Sequence, residues 1–424
     1  MMRVLSLVLV TVLAGCGALP VGRIVEGSAD GLAARAVPGE ILVRLAAGAT
    51  LPTGWTAVRS VEGLDAWLVR VPAGVGIAAA MERLQQAPGV TWAEPNWKME
   101  LVDELPRLSV SLPEFATTAE TPDLWHLQRV QAREAWTMAK GRGVTVAVVD
   151  TGIDATHPAF LGRLVPGFDT VDRDGDPRDD NGHGTHVAGI IAAQAPDMSL
   201  LGMAPEARIM PVRVLGDRGG SAESVATGIQ WAVARGAQVL NLSLGSPMRS
   251  RLIEDAIKVA QQRGVVVVAA MGNAGDRGNP RIFPASLPGV VAVGATDLVD
   301  RRTAWSCFGR WQALSAPGYG IWSTFPTYEC ALVRLARENP SALPPENRID
   351  THASALSGTS QAAPVVAGVA ALVRSLAPDL PQERVGTLLR DAARDLGAPG
   401  FDSYHGYGMV QAAASLRLVR ASKP

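Results

Sequence analysis

Three stretches of this chain set, beside an apolar run, a side chain able to move a proton or attack a carbonyl. They are VAVVDTGID at Asp150, GHGTHVAG at His183 and SGTSQAAP at Ser360. A serine hydroxyl is a weak nucleophile at neutral pH and needs a neighbouring base. An imidazole can take its proton and later return it to a leaving group. A carboxylate behind the imidazole fixes its tautomer and stabilises the cation that forms. Acid, base and nucleophile together are the parts of acyl transfer. A fourth stretch, AAMGNAG, offers Asn273. Its carboxamide N–H, beside the Ser360 backbone N–H, suits a tetrahedral oxyanion, and such a donor is worth about 100- to 1,000-fold in turnover. The chain order, Asp then His then Ser, separates unrelated folds that share this chemistry. No G-x-S-x-G elbow and no H-E-x-x-H pair occurs, which argues against an α/β-hydrolase esterase and a zinc protease. His186 reads as a packed helix histidine. His126, His157, His352 and His405 receive no role.

These side chains must be positioned by regular elements. Apolar strand patterns occur at 144–149, 208–214, 239–242, 265–270 and 290–293, and helical patterns at 184–194, 222–235, 251–263, 359–376 and 382–393. Apolar strands alternating with helices predict an α/β fold, a doubly wound and mostly parallel sheet with helices on both faces. Ligands of such sheets bind beyond the carboxyl ends of the strands. Asp150, the segment 243–245 and Asn273 all follow strands directly, so they converge on one rim. The helix after Ser360 is apolar all round, which predicts burial, with its N–H groups facing developing negative charge. Upstream lies a smaller α/β unit: strands at 41–45 and 66–71, a helix at 76–86 and a strand at 90–93 before Glu94-Pro95-Asn96. A linker at 101–121, with prolines at 106 and 113, joins the two.

The bulk numbers set limits. The 39 basic and 40 acidic residues nearly cancel, so electrostatics alone predicts no nucleic-acid partner. Arg3 precedes an apolar stretch from Val4 to Val12, too short to span a bilayer but suited to an export signal over 1–15. The ending Leu13-Ala14-Gly15-Cys16 resembles a lipoprotein cleavage site, which implies lipidation of Cys16 and a tether over 16–37; a plain secretory signal is the alternative. Export would permit a bridge between Cys307 and Cys330; otherwise one thiol is buried and the other unpaired at the surface.

With all four segments present, the chain resembles the subtilisin-like serine endopeptidases, the subtilases, over about 124–412. The resemblance implies a catalytic domain at 122–415 and a tail at 416–424. It implies Asp150, His183 and Ser360 as the triad and Asn273 as the oxyanion donor. Gly219, Gly220 and Ser221 match one strand that pairs with substrate backbone, and Ser243, Leu244 and Gly245 match the other. The unit at 38–100 is similar to the family's inhibitory propeptide, which implies an exported precursor that cuts itself within 101–121. Its partners would then be protein or peptide substrates, its own propeptide, and the membrane through the N-terminal lipid before processing. The expected location is the bacterial cell envelope, or the medium after processing. Met271, Leu244 and the segment 283–285 are expected to line the pocket for the residue before the cut. Gln361 stands where many members carry methionine, and 325–353 reads as an insertion carrying Cys330. The chemistry needs no cofactor. Asp169, Asp172 and Asp174, with Asp176, crowd one loop at a spacing similar to a calcium loop of thermitase-like members, and hard oxygen ligands suit calcium; a solvated acidic loop is the alternative. A lipid-anchored binding or scaffold protein that has lost activity would be expected to lack a triad member or the oxyanion donor, and all four are present.

Overall fold

The structure, a computed structural model, describes residues 31, 34–101, 124–216, 219–340 and 347–422. Its centre is a sheet of seven strands, all parallel. Their spatial order is Leu314–Pro317, Val291–Thr296, Val266–Ala270, Val239–Leu242, Thr145–Asp150, Arg208–Arg213 and Phe168–Asp169. Strand side chains alternate faces, and two apolar cores result. Val146, Val148, Val266, Val268 and Val293 enter one, with the helices His183–Ala192 and Thr359–Leu376. Ala147, Val149, Leu240, Val267 and Ala292 enter the other, under the helices Ala222–Ala234 and Arg251–Gln262. With both faces covered, every residue of the strand Thr145–Asp150 is buried.

The N-terminal module pairs the strands Ala36–Leu45, Thr56–Val61, Ala66–Arg70 and Val90–Leu101 antiparallel, with the helix Ile77–Gln85 packed on one face. Its last strand is 12 residues long and runs eight residues past the predicted end at Ala93. A proline normally marks an edge or the end of a strand; here Pro95 lies within the ladder, opposite Ile41. Glu94 and Asn96 on either side reach across to the catalytic unit. Glu94 accepts from Ser250 Oγ (2.7 Å), Arg251 N (2.8 Å) and Leu252 N (3.1 Å), and Asn96 Oδ1 accepts from Glu223 N (3.1 Å). Of these donors, the N–H groups of Arg251, Leu252 and Glu223 lie in the first turns of two helices, where they have no partner inside the helix. Ion pairs Arg44–Asp255 and Arg59–Glu223 flank them.

Two sequence boundaries differ from the structure. The strand Ala36–Leu45 begins inside the expected tether. The expected tail at 416–424 begins inside the helix Ala412–Ala421, whose Leu416 and Val419 are buried against the first core. Its apolar spacing makes it part of the domain.

Candidate active site

Asp150 ends the central strand and is fully buried. Its Oδ1 lies 2.7 Å from His183 Nδ1 and also accepts from Thr151 N at 2.8 Å. A carboxylate only accepts, so Nδ1 carries a proton, and in the neutral ring Nε2 keeps the lone pair. Two glycines let His183 come this close. Gly182, the helix N-cap, has φ 110°, and a Cβ on Gly184 would sit 2.1 Å from Gly152 O. A residue that the sequence reading missed organises the approach. Asp179 is fully buried and accepts from Thr151 Oγ1 (2.8 Å), Asn181 N (3.1 Å), Gly182 N (2.8 Å), Thr185 N (2.8 Å) and Thr185 Oγ1 (2.6 Å). Burial pushes its carboxyl up, while the bonds from Thr185, Gly182 and Thr151 pull the other way. In sequence it is one more aspartate in an acidic run; only its place four residues before His183 could have marked it. His186 is no metal partner. Burial pushes its imidazole down to about 3, and its Nε2 faces the Ile321 and Ser354 carbonyls at 3.0 and 3.1 Å, so it donates as a neutral ring.

Ser360 stands in the first turn of the helix Thr359–Leu376, which packs on the His183 helix and crosses the central strands. Pro364 has no N–H to bond the Ser360 carbonyl four residues back. Ser243 Oγ fills the gap at 2.9 Å, and Ser360 Oγ in turn donates to Ser243 O at 3.2 Å. Ser360 is thereby tied to the end of the neighbouring strand. Asn273 is held from the same helix: its Oδ1 accepts from Thr359 N and Thr359 Oγ1, both at 2.9 Å, and Thr359 Oγ1 accepts from Gly272 N at 3.0 Å. Because a backbone N–H must meet the oxygen, the carboxamide orientation is set, and Nδ2 is the end able to donate into the cleft.

The segments 219–221 and 243–245 flank a cleft, and the protein's own chain lies in it. The end of the strand Val90–Leu101 pairs antiparallel on both sides: Lys98 with Ser221, Met99 with Gly220, Glu100 with Gly245 and Leu101 with Leu244. Met99 is buried in the apolar cluster that holds Leu215, Val225 and Leu244. Beyond it a cavity of about 280 Å³ is lined by Glu100, Leu101, Gly245, Pro247, Asn273 and Ile282, among others. Met271 and Leu244, expected to line the pocket for the residue before the cut, are not among the residues lining this cavity. Both are buried in the second core, the cluster that also holds Met99. The segment 283–285 also lies outside the lining; its neighbour Ile282 takes that place.

The acidic loop is organised around a guanidinium. Arg213 NH1 lies 2.6 Å from both Asp169 Oδ2 and Asp172 Oδ2, and NH2 lies 3.5 Å from Asp180 Oδ2. Asp169 Oδ1 is occupied by Val171 N and Asp172 N, and Asp174 Oδ1 by Asp176 N. Among the described residues no group of three or more His, Cys, Asp or Glu is arranged to hold a metal. Asp169, Asp172 and Asp174 do not fit the expected calcium, because a side-chain cation already sits between the first two. Burial works against charge on Arg213, but its bonds to Asp169 and Asp172 outweigh that and raise its pKa. The cysteines fit neither expectation. Cys307 and Cys330 are unbridged and both buried, the first in the second core and the second in a small cluster with Phe325 and Val333. Cys16 lies outside the described residues.

The match to the family model described as the subtilase family covers residues 141–408. The chain belongs to the subtilase family. It is 42% identical to thermitase of Thermoactinomyces vulgaris over 250 residues, 58% of this chain and 81% of that protein. It is 40% identical to subtilisin Savinase of Lederbergia lenta over 295 residues, 69% of this chain and 98% of that protein. The solved structure of fervidolysin from Fervidobacterium pennivorans, a keratinolytic enzyme, is similar at TM-score 0.74 and 26% identity; the match covers 90% of this chain and 61% of that one. Like its family, this subtilase is a serine-type endopeptidase.

Proposed function

We propose that this subtilase hydrolyses peptide bonds through an acyl-serine intermediate, with Ser360 as nucleophile, His183 as general base and then acid, Asp150 as its orienting carboxylate, and Asn273 Nδ2 with the Ser360 N–H as oxyanion donors. The 2.7 Å bond from His183 Nδ1 to Asp150 supports this, because it leaves Nε2 as the basic nitrogen. Substrate would enter as a strand, the augmentation mode of peptide binding. The observation that carries the reading is residues 98–101 lying between Gly220–Ser221 and Leu244–Gly245 with backbone pairing on both sides.

The same pairing supports self-processing, with the N-terminal module as inhibitor. The described pairing ends with Leu101 opposite Leu244, next to Ser243, whose carbonyl accepts from the Ser360 hydroxyl. The expected cut is the Val102–Asp103 bond. If Cys16 carries a lipid, the anchor lies on the module's side of that cut, and processing frees the catalytic domain from the membrane. The test compares wild type with Ser360→Ala. Wild type should cleave casein, give Asp103 as the N-terminus of its catalytic domain and shed that domain from the membrane; Ser360→Ala should stay full-length, inactive and membrane-bound. An active or self-cut Ser360→Ala would overturn the nucleophile assignment, and equal membrane retention of both would overturn the anchor.

A further inference from the structure

The segment from Phe325 onward, between the strands Ile321–Thr324 and Ala353–Leu356, carries no sequence motif. It touches, in turn, each of the five residues that lead into His183. The Arg178 guanidinium lies 4.0 Å from the centroid of the Tyr328 ring. The Tyr328 hydroxyl donates to Asp179 O at 3.1 Å. Ala331 N donates to Asp180 O at 2.8 Å and Leu332 N to Asn181 O at 3.1 Å. Phe325 and Cys330 close the space under Gly182, where a Cβ would lie 2.5 Å from the ring and 2.9 Å from the sulfur. Thr327 anchors the start of the segment: its N and Oγ1 each donate to Asp154 Oδ2 at 2.8 Å, on the loop that follows Asp150.

We infer that residues 325–332 form a clamp that positions His183, with Tyr328 and the Ala331 N–H as its positioning groups. This rests on His183 being the general base. The two backbone donors belong to the first turn of the helix Ala331–Glu338, where N–H groups lack an intrahelical partner; the carbonyls of Asp180 and Asn181 satisfy them. The imidazole is then oriented from two directions, by Asp150 through Nδ1 and by the clamp through the backbone at 178–182. A misplacement of roughly 1 Å at a catalytic group can cost about 100-fold in rate, so the clamp acts on turnover rather than on substrate affinity.

Two substitutions in the full-length protein each remove one of its bonds. Tyr328→Phe deletes the hydroxyl and keeps the ring under Arg178. Ala331→Pro deletes only an N–H: proline suits the first position of a helix, and Cys330, with φ −120° and ψ 176°, already has the extended backbone a following proline requires. Each should lower kcat about 3- to 10-fold with KM changed less than about twofold, as expected for a misplaced catalytic group. Each should also move the ring resonances of His183 in protein labelled with ¹⁵N-histidine, with the protein still fully folded at the assay temperature. His183→Ala should abolish activity in the same assay. Wild-type kcat and resonances in both clamp variants, with His183→Ala inactive, would overturn the clamp. So would losses of kcat that only follow unfolding at the assay temperature. A fully active His183→Ala would overturn the general-base reading instead.

Discussion

Replacing Thr359 by valine separates the positioning of Asn273, the proposed oxyanion donor, from the donor itself. The hydroxyl makes two buried bonds, from Gly272 N (3.0 Å) and to Asn273 Oδ1 (2.9 Å). Valine keeps the shape and removes both. The Gly272 N–H is left buried without a partner, which costs about 1–3 kcal/mol of stability. Asn273 Oδ1 keeps its second bond, from Thr359 N at 2.9 Å, so the carboxamide still faces the right way on one tether instead of two. Outright loss of such a donor costs about 2.7–4 kcal/mol of transition-state stabilisation. Losing one of the two bonds to Oδ1 should cost about half of that, a fall in kcat of roughly 10- to 30-fold with little change in KM. The assay is steady-state hydrolysis of a chromogenic peptide by Thr359→Val, Asn273→Ala and the double variant. Asn273→Ala should fall about 100- to 1,000-fold, and the double variant should match it, because the hydroxyl then has no carboxamide to hold. Multiplicative losses in the double variant, or a normal kcat in Thr359→Val, would refute the reasoning.

Three further outcomes follow from the geometry. Arg213→Gln leaves the buried Asp169 carboxylate unpaired and should destabilise by about 3–5 kcal/mol. Millimolar calcium should raise the Tm of this variant and leave that of wild type unchanged; an EDTA-dependent fall in the Tm of wild type that the variant lacks would show calcium at this loop after all. For Glu94, burial outweighs its bonds from Arg251, Ser250 and Leu252 and raises the carboxyl above 4.5. The docked module therefore takes up a proton more readily than the free one, so this group favours docking more as the pH falls toward the ordinary carboxylate range. Size-exclusion of processed protein should show the module at least as firmly bound at pH 5 as at pH 7; release on mild acidification would contradict the sign. Gln361, next to Ser360, has no sulfur to oxidise, and both ends of its buried carboxamide lack a partner among the described residues. Gln361→Met should gain about 1–3 kcal/mol by removing that unmet polar pair and turn a peroxide-tolerant enzyme into a sensitive one. Rapid inactivation of wild type by peroxide would count against this.

What the sequence discloses here depends on how local the physics is. Asp150, His183, Ser360 and Asn273 each carry flanking glycines and an adjoining apolar run, so their elements and their common rim are readable from neighbouring residues. The parallel sheet is readable for the same reason, since strands buried on both faces leave unbroken apolar runs. Arg213 is different: nothing near it in the sequence shows that its guanidinium lies among carboxylates 33 to 44 residues away. The strand through Pro95 was cut short because what supports it, Ser250, Arg251 and Glu223, lies over a hundred residues downstream. The clamp at 325–332 and the hub at Asp179 act through backbone carbonyls and N–H groups, which leave little mark on residue type.

The proposed chemistry turns on Ser360 attacking the substrate carbonyl after His183 takes its proton. Labelling with a phosphonate that phosphonylates activated serines, followed by peptide mapping, tests this directly. One label should be found, on Ser360, and it should disappear when His183 is replaced by alanine. A label on another serine, or equal labelling of Ser360 without the imidazole, would contradict it.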